Sequence, residues 1–150
     1  MDRIASFTID HTVLMPGIYT SRIDGVVTTY DLRMRRPNVE PVISNASIHT
    51  IEHLFATYVR NSKFKDNIIY FGPMGCRTGC YFLVRDMAPA DAVELVKQAT
   101  AFIAGYEGEI PGVTAAECGN YREHSLPEAK KDAARYLNDI KDWTAEKLSY

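Results

Sequence analysis

The sequence predicts an α+β fold: an α/β sandwich with a mainly antiparallel sheet and flanking helices. Three observations point there. One stretch alternates in polarity with a period of two, three stretches place apolar residues at helical spacing, and short Gly- and Pro-containing turns join strand-like runs. The 150 residues fit a single domain spanning 1–150. At 46% hydrophobic and 24% charged, the chain has the apolar material for a core and is not disordered.

Residues 25–34 are the alternating stretch. Val26, Thr28, Tyr30, Leu32 and Met34 share one face; Val27, Thr29, Asp31 and Arg33 share the other. That is a half-buried strand with Asp31 and Arg33 on its more polar side. Pro37 and Pro41 end it, because proline cannot donate to a ladder. From Ser47 to about Asn61, the residues Ile48, Ile51, Leu54, Phe55, Tyr58 and Val59 gather on one arc at ~100° per residue, which predicts a helix. Residues 67–71 and 78–85 read as two strands around the Gly-rich turn Gly72-Pro-Met-Gly-Cys-Arg-Thr-Gly79. A second helix is expected from about Pro89 to Ala104, stopping at Gly105 as a C′ residue. A third starts at Ser125-Leu-Pro-Glu128, a capping box with proline in its first turn, and is expected to run to near Leu148.

The net charge of −2 offers no basic surplus, so nucleic acid is not an expected partner. No apolar run approaches the roughly 18 residues of a membrane span. The start MDRIASFTIDH lacks the apolar core of a secretory signal, and the three cysteines are too few and too loosely spaced for a disulfide framework. The expected compartment is the cytoplasm.

The chemistry concentrates in Ser47-Ile-His-Thr-Ile-Glu-His-Leu54. His49 and His53 are four apart, hence one above the other on a helix, and Glu52 lies beside the same stripe. Two imidazoles so placed can point at one ion, with a carboxylate near enough to move protons. A helix with two surface histidines has the same spacing, so the run by itself leaves both readings open. A metal needs a third ligand. His11, His124, Cys76, Cys80, Cys118 and several carboxylates are candidates, and spacing does not choose among them. Cys76 sits in an exposed turn beside Arg77, which favours a thiolate, although most free cysteines are buried packing groups. Cys80, inside a strand, reads as packing, and His124, just before the last helix, as structural.

These residues also carry a family resemblance. The chain resembles the S-ribosylhomocysteine lyases, or LuxS proteins, in Ser6-Phe-Thr-Ile-Asp-His11, Asp24-Gly-Val-Val27, Asp31-Leu-Arg33 with Pro37-Asn38, Ile48-His-Thr-Ile-Glu-His-Leu54, Pro73-Met-Gly-Cys-Arg-Thr-Gly79 and Glu117-Cys-Gly119. The resemblance implies that His49, His53 and Cys118 ligate one divalent metal per subunit, Fe²⁺ in the cell, with Zn²⁺ or Co²⁺ able to substitute. It implies that Glu52 and Cys76 move protons and that Ser6, His11 and Arg33 contact the substrate. It further implies a homodimer with sites at the interface, an α+β sandwich with an antiparallel sheet, and cleavage of S-ribosylhomocysteine to homocysteine and the autoinducer-2 precursor. The chain departs from the family at Tyr70-Phe-Gly72, where an acidic residue and a serine are common. Met34-Arg-Arg36, residues 61–66 and Cys80 are atypical as well.

Two other functions fit parts of the pattern. His-x-x-Glu-His also marks inverted zinc peptidases, whose third ligand is a distant glutamate such as Glu123 or Glu128. A non-enzymatic metal-binding relative would close its coordination shell with a fourth protein ligand, such as Cys76.

Overall fold

Two hairpins meet to make the sheet. The computed structural model describes all 150 residues. Strands β1 (Gly17–Asp24) and β2 (Val27–Arg33) form the first hairpin, β3 (Ile68–Pro73) and β4 (Gly79–Arg85) the second. Pairing of β2 with β4 joins them into an antiparallel sheet of order β1-β2-β4-β3. Helix α1 (Asn45–Arg60) links the hairpins; α2 (Pro89–Ala104) and α3 (Leu126–Ile140) follow. No helix is long and apolar enough to cross a membrane.

The predicted alternation in β2 holds. Tyr30 and Leu32 share a buried cluster with residues of all three helices, so the helices cover that face of the sheet. Asp31 and Arg33 lie on the other face, and the ladder sets them beside Tyr81 and Gly79 of β4. They are nevertheless 0% and 2% exposed. Polarity in this strand therefore marks a buried ion pair and not contact with water. No alternation announces β1, because a bulge between Thr20 and Arg22 breaks its register. Gly25 (φ +59°) makes the tight turn into β2, a conformation that costs glycine little.

Helix α1 forms where its apolar arc places it. Ile48, Ile51, Leu54, Phe55 and Val59 are buried, and Phe55 stacks on Phe71 of β3 with ring centroids 4.0 Å apart. Each such side chain contributes about 1.5–3 kcal/mol by leaving water. The helix starts two residues before the predicted Ser47, because Ser44 caps it by accepting the Ser47 N–H at 3.1 Å. Helix α2 has the predicted bounds, but Gly105 has φ −99° and makes no left-handed cap.

Helix α3 ends at Ile140 and not near Leu148. The chain leaves the helix so that Trp143 can lie over Gly17, where a Cβ would collide with the indole. The Leu148 carbonyl then accepts the Thr20 N–H at 2.7 Å, extending the edge of β1. Half of the predicted capping box forms: Ser125 accepts the Glu128 N–H at 3.4 Å. The Glu128 carboxylate turns away and accepts from Ser44, the cap of α1. With Asp132 taking both Arg35 and the Ser47 hydroxyl, this ties α3 to the start of α1.

Candidate metal centre

The flank of α1 that faces away from the core carries His49, Glu52 and His53, all half-buried. Residues 111–125 wrap across this flank and supply the remaining parts. Pro111 accepts from His53 Nδ1 at 2.8 Å, and Glu123 accepts from His49 Nδ1 at 2.9 Å, both through backbone carbonyls. Each bond puts the proton on Nδ1 and leaves the Nε2 lone pair free, the usual arrangement of a ligating imidazole. Gly112 (φ +73°) makes the bend that brings Pro111 in. A Cβ there would also stand 3.3 Å from His53 Nδ1.

Cys118 comes from the same wrapping segment, in a turn closed by its N–H to the Thr114 carbonyl at 3.0 Å. Its Sγ lies 3.4 Å from His49 Nε2. A sulfur and a nitrogen bound to one tetrahedral ion stand about 3.5 Å apart. The donor atoms of His49, His53, Cys118 and His124 all lie within 4.8 Å of one another. Of the candidates among which spacing does not choose, the fold brings two, Cys118 and His124, to the histidine pair. No carboxylate belongs to this cluster, so neither Glu123 nor Glu128 takes the part of a peptidase's third ligand; Glu128 is engaged at Ser44. Cys76 is not in the cluster either.

His124, expected to be structural, belongs to the cluster. Its ring stacks on His49 at 3.8 Å between centroids, and its Nδ1 pairs with the Thr50 hydroxyl at 2.9 Å. Its Nε2 is buried without a protein partner, a costly state unless an ion or ligand completes it. Burial, then the neighbouring His49 and His53, lower its pKa to about 4, so it is neutral at pH 7. No local pattern marks this role, because it depends on the contact of the wrapping segment with α1, which is tertiary. Two fixed imidazoles, a thiol and an orphaned nitrogen together fit a borderline-soft divalent ion.

Glu52 and His53 line a cleft of about 350 Å³ with Thr57, Arg60, Tyr70 and Gly112. Ser6 lines a different cavity on the open face of the sheet, with Ser21, Arg22, Thr29 and Tyr81. Tyr70 borders both. His11 lies in the loop before β1, with its Nδ1 bonded to the Ile9 carbonyl at 2.8 Å. Arg33 directs Nε and Nη2 to Asp31 at 3.1 and 2.6 Å and Nη1 to Thr78 at 2.9 Å. Burial pulls its pKa down, and the hydrogen bonds and charge of Asp31 more than reverse this. Cys76 is exposed in the β3–β4 turn, 3.1 Å from the Thr78 hydroxyl. Cys80 is packed in the core, where burial pushes its thiol pKa up, so it is inert as a nucleophile.

Known proteins resemble this chain over nearly its whole length. Residues 4–147 match the family model of S-ribosylhomocysteinase (LuxS). The S-ribosylhomocysteine lyase of Finegoldia magna is 52% identical over the whole chain and 99% of its own length. Those of Clostridium beijerinckii and Phocaeicola vulgatus are 51% and 48% identical, over 93% and 100% of this chain and 92% and 98% of their own.

Proposed function

The chain belongs to the S-ribosylhomocysteinase (LuxS) family, and on that premise we propose how its residues cleave the thioether of S-ribosylhomocysteine. The observation that carries the proposal is the convergence of His49, His53 and Cys118, with His124 beside them and Glu52 on the same helix face.

These three side chains would hold one divalent ion, Fe²⁺ in the cell, with Zn²⁺ or Co²⁺ able to replace it. When bound, the ion supplies Lewis acidity that polarises the sugar's carbonyl oxygens. A thioether leaves poorly unless a carbanion forms beside its carbon. The ribose therefore opens to its aldehyde, and the carbonyl migrates from C1 to C3 by successive enolisations. Cys76, as thiolate, removes each carbon-bound proton beside the carbonyl and returns it to the carbon that the carbonyl has just left. Glu52, on the cleft wall beside His53, carries protons between the sugar oxygens. With the ketone at C3, Glu52 takes the C4 proton, and homocysteine leaves from C5 as its thiolate. The thiolate takes up a proton, and the enol that remains becomes 4,5-dihydroxy-2,3-pentanedione.

We assign substrate contact to Ser6, His11 and Arg33, with Arg33 acting from its buried pair with Asp31. A homodimer accounts for Ser6 facing a cavity separate from the Glu52 cleft. The segment that carries it also exposes Ile4, Phe7, Val13 and Met15, apolar groups that a second subunit would cover. The proposed setting is the cytoplasm, with the products serving homocysteine recycling and autoinducer synthesis.

Thiol release from S-ribosylhomocysteine by anaerobically prepared protein tests the proposal. Release by the native chain and not by Cys76→Ala is the expected result. No release from native protein holding one equivalent of metal would overturn it.

A further inference from the structure

Thr78 follows Cys76 by two residues and is 4% exposed. Its carbonyl accepts the N–H groups of Met34 and Arg35 at 2.8 and 2.9 Å, which fixes the Cys76 turn to the end of β2. Its hydroxyl stands between two side chains. Arg33 Nη1 lies 2.9 Å from Oγ1 on one side, and Cys76 Sγ lies 3.1 Å away on the other.

Donor accounting orients this hydroxyl. A guanidinium only donates, and a hydroxyl has one proton. Oγ1 therefore accepts from Arg33 and keeps its one proton, which a thiolate sulfur 3.1 Å away can accept, whereas a neutral thiol could equally donate to the oxygen's second lone pair. Behind Arg33, Asp31 accepts two guanidinium N–H bonds and the Tyr150 hydroxyl at 2.7 Å. Tyr150 in turn stacks on Tyr19 with ring centroids 4.9 Å apart. The guanidinium is thus held still while one donor faces Thr78.

We propose that Thr78 is a positioning residue that links Arg33 to Cys76, its hydroxyl accepting from the guanidinium and donating to the sulfur. A sulfur held as acceptor is held in the role a thiolate fills, and the Arg33 charge polarises the donor that faces it. The assignment rests on Cys76 being the reactive thiol of the proposed function.

The test is the rate of iodoacetamide alkylation at Cys76 in metal-loaded, full-length protein, read by peptide mass spectrometry across a pH range. Thr78→Val is expected to slow the reaction at pH 7 by about tenfold, the order of one hydrogen bond to a charged group, and to displace the rise in rate to higher pH. Thr78→Ser, which keeps the hydroxyl, is expected to react within about twofold of native. If Thr78→Val fails to fold, Thr78→Ala removes the hydroxyl without placing a branched apolar group beside Arg33. Native-rate alkylation in a folded variant lacking the hydroxyl would overturn the inference, and so would a Thr78→Ser protein as slow as those variants. Alkylation is read without substrate, so absent thiol release from native protein would count against the lyase mechanism and not against the role of Thr78.

Discussion

Replacing Asp31 with alanine isolates the energetics of the buried pair beneath Cys76. Arg33 is 2% exposed, and its guanidinium has three side-chain bonds, two to Asp31 and one to Thr78. Loss of the carboxylate leaves a full positive charge in the interior with one neutral partner. Breaking a buried pair in this way costs about 3–5 kcal/mol, set against a total stability of about 5–15 kcal/mol for a domain. At about 2–4 °C per kcal/mol for a chain of this size, Tm falls by roughly 6–20 °C. The double variant Asp31→Leu/Arg33→Met removes both charges and keeps side-chain volume, so it is expected to recover most of that loss and to have no thiol-releasing activity. Urea unfolding at one protein concentration measures both. Trp143, the only tryptophan and packed edge-on against Tyr19 at 5.6 Å, is a fluorescence reporter close to the site of change. An Asp31→Ala loss under about 1 kcal/mol, or a double variant no more stable than the single, would refute the reasoning.

The other expectations concern the metal, the pH response and the cleft. Cys118→Ala should lower affinity for Co²⁺ or Zn²⁺ by more than about a hundredfold and abolish the thiolate-to-cobalt charge-transfer band while circular dichroism stays native; retained stoichiometric metal would remove Cys118 from the ligand set. The pH response of the metal-free protein follows from His124, whose pKa falls from 6.5 to about 4 on folding. The unfolded chain then binds the extra proton between those values, so stability is full above about 6.5 and falls as the pH drops toward about 4. A urea midpoint that rises on acidification through this window would contradict the assignment. Gly72→Ala should turn the Tyr70 ring away, because a Cβ on Gly72 collides with that ring. Tyr70 is half-exposed and free to move, so stability should change by less than about 1 kcal/mol while KM changes, since Tyr70 borders the Glu52 cleft. An unchanged KM with a displaced ring would take Tyr70 out of substrate binding.

Local features were legible in the sequence because local geometry produces them. The period of two in 25–34, the apolar arc of α1 and the His49–Glu52–His53 stripe are set by strand and helix repeats alone. The capping role of Ser125 and the bounds of α2 are local in the same sense. The family resemblance implies Cys118 as third ligand, where spacing leaves several residues open. What needed the tertiary structure depends on contacts between segments far apart in the chain. Strand β1 carries no legible alternation because a bulge breaks it, and α3 stops early because Trp143 packs against Gly17. Asp31 and Arg33 look solvent-facing by polarity, yet Tyr150, 119 residues from Asp31, donates to the carboxylate, and Thr78 takes the guanidinium. His124 reads as structural by its position, but its loop lies against α1 and stacks it on His49, 75 positions earlier in the sequence. Periodicity reports which face of an element is apolar; it carries no information on which distant segment covers the polar face, and at this site that covering segment supplies both Cys118 and His124.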